Sequence, residues 1–347
     1  MGSGQSSEKG PVKVPEFPPG VNGQLLQREA VQTRDLLVPI KMSRHFTTGL
    51  ESSLDDLKQV IVAQAREGFK LAAVYLPMYS EGGTMDNEHH TFSSDYTTRI
   101  LCIFQTAPQH RGIVQDVVFH QSVMTLTKTF SVKESGHEDL YEQLKTAAAQ
   151  GASLSCVIDD PNMLQSVTSL GSIKSNAHLV CYRPADSKPV PVGDYVIVNC
   201  PIQLKDGGIK NLNFTMPTLK SLLQAYTTQG HKIAGVHNPP DDKNISLSAT
   251  ETSCHLIFQK TGVNYHFSVV DGDFNFELHI WHKNEVDHSR YVSIVKDFAC
   301  KGWELAAIID MKDHHKDSIF NDKISRTARM IFQAPETTGG KGGELST

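Results

Sequence analysis

The sequence predicts an α+β protein built from four pseudo-repeats of strand(s)–helix–strand–strand, with antiparallel sheets, helices on one sheet face, and paired units. Three observations predict it. Near-copies of one ten-residue join stand at "EGFKLAAVYL" from Glu67, "QGASLSCVID" from Gln150, "QGHKIAGVHN" from Gln229 and "KGWELAAIID" from Lys301. Their glycines, Gly68, Gly151, Gly230 and Gly302, are 83, 79 and 72 residues apart, a period that signals repeated supersecondary units. Apolar spacing also changes at each glycine, from a helical period before it to a strand period after it.

The helices come first. In unit one Leu54, Leu57 and Ile61 share a face, and Ser53 with Asp56 forms a capping-box arrangement. Unit two has Leu140, Leu144, Ala147 and Ala148; unit three has Leu219, Leu222, Leu223 and Tyr226. Unit four has Tyr291, Ile294, Val295 and Phe298, spaced i, i+3, i+4, i+7. Each glycine then fits the left-handed position that ends a helix, where a Cβ is penalised.

Extended segments follow. In unit four Trp303, Leu305, Ala307 and Ile309 alternate with Glu304, Ala306, Ile308 and Asp310. A polar loop leads to a last strand, "TRILCIFQTAP", "AHLVCYRPA", "CHLIFQKT" or "ARMIFQAP". A further strand precedes each helix, clearest at Phe274, Phe276, Leu278 and Ile280, with a hairpin turn expected at Asp271-Gly272. The second face of the join strand stays apolar at Val74, Val157, Val236 and Ile308, so units are expected to pack on one another. The chain divides into an arm at 1–34, units one and two in 35–190, units three and four in 191–336, and a tail at 337–347.

Composition narrows the function classes. A net charge of −5 offers no general attraction to nucleic acid, and no apolar run approaches a membrane span. No secretory leader is expected at the N-terminus, so the sequons at Asn213 and Asn244 are read as accidental. The six cysteines lie singly in apolar stretches and form no C-x-x-C pair, which makes them core fillers.

The segments "YVSIVKDFACKGWELAAIID" with "RMIFQAP", and "LKQVIVAQAREGFKLAAVYLP" with "TTRILCIFQTAP", resemble the repeats of the raftlins. The same join is similar to that of small bacterial strand–helix–strand–strand proteins of unknown function. The raftlin resemblance implies a non-enzymatic protein of the cytoplasmic membrane face, associated with lipid rafts, that organises immune-receptor signalling or receptor uptake. Raftlins carry a myristoyl group on the second residue and a palmitoyl group on the cysteine after it; here Gly2 is kept and Ser3 replaces that cysteine.

The N-terminal "MGSGQSSEKG" independently fits the myristoylation pattern, with Gly2 as acceptor and Ser6 at the preferred position. One such chain gives a partition constant of about 10⁴ M⁻¹, which is reversible without a second signal. Residues 1–35 hold Lys9, Lys13, Arg28 and Arg34 against Glu8, Glu16, Glu29 and Asp35, and their first cysteine neighbour is the distant Cys102. The expectation is reversible binding to the inner face of the plasma membrane, strengthened by self-association or by protein partners at the variable loops.

No catalytic residue, cofactor or metal ligand is assigned. His89, His90, His314 and His315 lie in corresponding loops and could meet around zinc were units one and four neighbours. Adjacent histidines usually point apart, however, and no H-x-x-x-H or H-E-x-x-H pattern supports them. Near "WHKNEVDHSRY", Asp287 or Ser289 is read as a helix cap, and Trp281 and Trp303 as packing residues. "GASLS" departs from a nucleophile elbow at Ser155. The alternative function is a soluble protein, enzymatic or not, that takes a small ligand or metal in a cleft between paired units.

Overall fold

The chain is α+β, with four helices and antiparallel sheets, in a computed structural model that describes residues 28–45, 49–75, 94–128, 132–134, 138–159, 172–185, 192–207, 211–238, 251–278, 285–311, 314–316 and 322–336. In chain order come β1 (Gln32–His45), β2 (Gly49–Ser53), α1 (Asp55–Arg66), β3 (Lys70–Tyr75) and β4 (Ser94–Thr106). After a 3-10 turn at Pro108–His110 follow β5 (Gln115–Lys128), β6 (Val132–Glu134), α2 (Glu138–Ala149), β7 (Ser153–Asp159) and β8 (Ser172–Pro184). Next are β9 (Tyr195–Gly207), β10 (Asn211–Thr215), α3 (Leu219–Thr227), β11 (His231–His237) and β12 (Glu251–Lys260). The last are β13 (Tyr265–Leu278), β14 (Glu285–Asp287), α4 (Ser289–Cys300), β15 (Glu304–Asp310), β16 (His314–Lys316) and β17 (Asp322–Pro335).

Two four-stranded sheets have the orders β2-β1-β4-β3 and β6-β5-β8-β7. The third runs β11-β12-β9-β10-β16-β17-β13-β14, with β15 also on β17. Its two parts are joined by the short β10–β16 ladder, where Asn211 faces His315 and Leu212 faces His314.

The helix ends are built as the glycines require. Gly68, Gly151, Gly230 and Gly302 have φ of 84°, 73°, 79° and 78°. At three of them the chain closes in the paired bonds of a Schellman motif: Gly68 and Phe69 N–H to Ala65 and Gln64 O, Gly151 and Ala152 to Ala148 and Ala147, Gly302 and Trp303 to Ala299 and Phe298. The following Phe69, Ala152 and Trp303 are buried, the apolar contact that accompanies this motif. The N-terminal ends differ from expectation. Helix α1 starts after Leu54, and Ser53 Oγ accepts only a long 3.5 Å bond from Asp55 N–H, so no capping box forms. His288 is the N-cap of α4, and its side chain makes no capping bond.

The Asp271-Gly272 hairpin does not form. β13 runs straight through, with Asp271 opposite Arg329 and Gly272 opposite Ala328. Arg329 binds the Asp271 carboxylate through two bonds of 2.6 and 2.8 Å. The glycine serves close packing instead: a Cβ there would stand 2.7 Å from Met330 Cε and 3.8 Å from Tyr291 and Ile294 of α4.

Each helix buries its apolar stripe and reaches the next sheet segment along the chain. α1 packs on β5, α2 on β9, α3 on β13, and α4 returns to β1. The hydrophobic core is divided the same way. One cluster joins Leu57, Ile61 and Phe104 to Val180 and Tyr182; another joins Leu140 and Leu179 to Ala234 and Ile257. A third joins Leu223 and Phe258 to Ile309 and Ile331, and the fourth joins Val295 and Phe332 to Ala73 and Leu101. The contacts therefore close on themselves.

The strands after the glycines, β3, β7, β11 and β15, are edge strands, each with a bulge near its start, and their outward N–H groups need acceptors. Side chains from the neighbouring segment supply them. Leu71 N–H donates to Tyr182 Oη at 2.8 Å, and Leu154 N–H to Tyr195 Oη at 2.8 Å. Ile233 N–H donates to Gln333 Oε1 at 2.9 Å, and Leu305 N–H to Gln105 Oε1 at 2.8 Å. Two edge carbonyls are also met, Leu71 O by Ser155 Oγ at 2.8 Å and Ile233 O by Gln333 Nε2 at 3.0 Å.

Residues 28–31 complete the circle beside Gly302. Val31 N–H donates to Ala299 O at 2.9 Å, as Val192 N–H does to Ala148 O at 3.2 Å. Arg28 donates to Pro335 O at 2.8 Å and lies over Trp303 with 6.0 Å to the ring centroid. Arg111 donates to Ala30 O.

Replacing Gln333 by Ala orphans both Ile233 backbone groups and is expected to lower unfolding free energy by about 2–4 kcal/mol. Gln259→Ala, which removes only a 3.3 Å bond to Ser153 Oγ, should cost about 1 kcal/mol or less by denaturant titration. Gly302→Ala forces a left-handed Ala with its Cβ 2.5 Å from Arg28 Cβ. The backbone penalty alone is about 1–2 kcal/mol, read as a lowered melting temperature.

Candidate functional site

The four edge strands touch in sequence, β3 with β7, β7 with β11, β11 with β15 and β15 with β3. Small side chains let them approach. Ala72, Ala73, Gly235, Ala306 and Ala307 all stand at the contact, and a Cβ on Gly235 would come within 3.4 Å of Leu154 and Val157. Between the strands is a cavity of about 90 Å³, lined on every side by the residues expected to form the second strand face, Val74, Val157, Val236 and Ile308.

Polar groups gather where these strands end. The Asp159 carboxylate takes a short hydrogen bond from His237 Nδ1 and a 2.9 Å bond from Asn238 N–H. Asp159 and Asn238 line the cavity. His237 and His255 are both 0% exposed, their rings 5.7 Å apart. The Asp159 carboxylate orients the imidazole and holds the backbone at Asn238, giving the otherwise apolar cavity one hydrogen-bonding wall.

Cys156 also lines the cavity, and burial together with the nearby Asp159 charge pushes its thiol up to about 12. It is thus held protonated and is a poor nucleophile. Ser155, one residue before it, is engaged with Leu71 O. The arrangement is suited to enclosing a small apolar group against one polar wall.

The residues singled out from sequence fall elsewhere. Gly2, His89 and His90 lie outside the described residues, as do Trp281 and residues 337–347. His314 and His315 belong to β16, paired with β10, rather than to an open loop. Among the described residues no group of three or more His, Cys, Asp or Glu side chains could hold a metal. Trp303 is buried against Phe298, with ring centroids 6.1 Å apart. Sequence reasoning missed Gln105, Tyr182, Tyr195 and Gln333, although the recurrent "FQ" of the last strands was a visible signal for two of them. It also missed Asp159 and His237, whose meeting depends on strands 78 residues apart.

No family model, curated protein or solved structure matches this chain.

Asp159→Ala removes the acceptor of two groups and is expected to destabilise the fold by about 2–4 kcal/mol, whereas Asp159→Asn keeps an oxygen for Asn238 N–H and should lose less. Thermal unfolding of the two variants side by side checks this order.

Proposed function

We propose that the chain is a non-enzymatic, N-myristoylated peripheral membrane scaffold resembling the raftlins, built from four copies of one strand–helix–strand–strand module closed into a ring. The observation that carries the membrane reading is the acceptor pattern at Met1-Gly2-Ser3-Gly4-Gln5-Ser6. The module reading is supported by the four left-handed glycines, the four edge strands and the four side-chain caps that run from each module to its neighbour. Pairing of modules is thereby extended to a ring, because every edge strand touches two others. The β10–β16 ladder supports treating 191–336 as one half and 35–190 as the other.

In this reading the ring is a rigid platform. Protein partners bind at the variable loops that follow β3, β7, β11 and β15, and the lipid brings the platform to the inner face of the plasma membrane. A single acyl chain partitions with about 10⁴ M⁻¹, so residence is reversible and is lengthened by self-association or a partner. No helix among the described residues is long and apolar enough to cross a membrane. The cavity of about 90 Å³ favours a second reading, in which the protein takes a small ligand between modules.

Gly2→Ala removes the acceptor amine and is expected to move the protein from the membrane to the soluble fraction of eukaryotic cells. Membrane fractionation that does not change, or an unmodified N-terminal peptide mass in the parent protein, overturns the lipid reading.

A further inference from the structure

We propose that the opposite end of the ring, where the four edge strands begin, is a binding site for a phosphate-class oxyanion held between Lys70 and Lys232. Lys70, Ser153 and Glu304 open β3, β7 and β15, and Lys232 is the second residue of β11. Each stands opposite a residue of the adjoining long strand: Gln105 for Lys70, Tyr182 for Ser153, Gln333 for Glu304 and Gln259 for Lys232. The side-chain caps hold them at one level, since Gln105 reaches Leu305 beside Glu304 and Gln333 reaches Ile233 beside Lys232. Lys70 and Lys232 sit on strands that are not neighbours, yet each feels the other or the intervening Glu304 through space. His110, from the 3-10 turn, feels both lysines.

Charge and solvation make this cluster incomplete. All of Lys70, Lys232 and Glu304 are half-buried. Among the described residues no hydrogen bond or ion pair reaches either Nζ or the Glu304 carboxylate. Two ammonium groups face one carboxylate, and His110 adds no charge because burial, and then the two lysines, lower it to about 4. One positive charge is left over in a partly dehydrated space, a costly state that one bound negative charge removes. Burial, and then Lys232, accordingly press Lys70 down to about 8.

The donors set the ligand's shape. Lysines approach from opposite sides, and Ser153 Oγ already accepts a 3.3 Å bond from Gln259 Nε2, which leaves its own proton to give. A tetrahedral oxyanion presents oxygens in all these directions, whereas a planar carboxylate does not. The Glu304 carboxylate, which lies within reach of both lysines, sets the limit on charge, favouring a singly over a doubly charged anion.

The test is isothermal titration of the full chain with inorganic phosphate at constant ionic strength. Saturable binding is expected, weakened about tenfold or more by Lys70→Met or Lys232→Met and tightened several-fold by Glu304→Gln. Parent affinity should fall as pH rises, first as phosphate takes its second charge and further past about 8, where Lys70 loses its proton. Lys70→Met should keep the first fall and lose the second. A second arm uses Gly2→Ala protein with phosphatidylcholine vesicles, with and without a phosphomonoester-bearing lipid. Vesicle binding abolished by Lys232→Met identifies a lipid headgroup as the source; binding of inorganic phosphate alone identifies a free one. The proposal is overturned by no saturable phosphate binding, or by affinities that none of the three substitutions moves. Should a Met variant unfold, Glu304→Gln still decides, because its effect runs the other way.

Discussion

Everything in this molecule follows from an edge-strand problem. β3, β7, β11 and β15 each end a ladder with outward backbone groups that another chain could pair with. Four side chains remove that opportunity by bonding Leu71, Leu154, Ile233 and Leu305 from the neighbouring segment. Because each cap comes from the next segment, the solution works only when the last one meets the first, and Gln105 on Leu305 is that closing bond. A ring lacking one member would leave one of the four amides without its side-chain acceptor and open its edge strand to pairing with another chain.

Much of the local architecture was legible in the sequence. The stripes at Leu140, Leu144 and Ala147, and at Tyr291, Val295 and Phe298, are buried as the 3.6 period requires. Gly68, Gly151, Gly230 and Gly302 are left-handed because a helix must stop there. The failures have physical causes. Ser53 and Asp56 have the letters of a capping box, but the helix begins one residue later and leaves the serine outside. Asp271-Gly272 has the letters of a turn, but Arg329 pairs with the aspartate and Met330 fills the space a Cβ at Gly272 would take. The ring was hidden because its determinants act over long sequence separations; Tyr182 in "CYRPA" has no local pattern that points to Leu71.

The two ends of the central quartet have opposite electrostatic character, although the same four strands form both. Near their starts stand two lysines, a serine and a glutamate, and where β7 and β11 end stand Asp159 and His237, with Asn238 following. Between lies apolar lining of alanine, valine and isoleucine. The first level carries Lys70, Ser153, Lys232 and Glu304, whereas at the last level β7 and β15 both carry an aspartate, Asp159 and Asp310.

The bridge at residues 28–31 has a mechanical consequence. Arg28 and Val31 grip the seam between the first and last segments through Pro335 O and Ala299 O. Tension on the residues ahead of Arg28 would load that seam first, while the other three seams are spanned by continuous chain. A tethered ring would thus yield at one known place, where Arg28 and Val31 bridge the two ends of the chain.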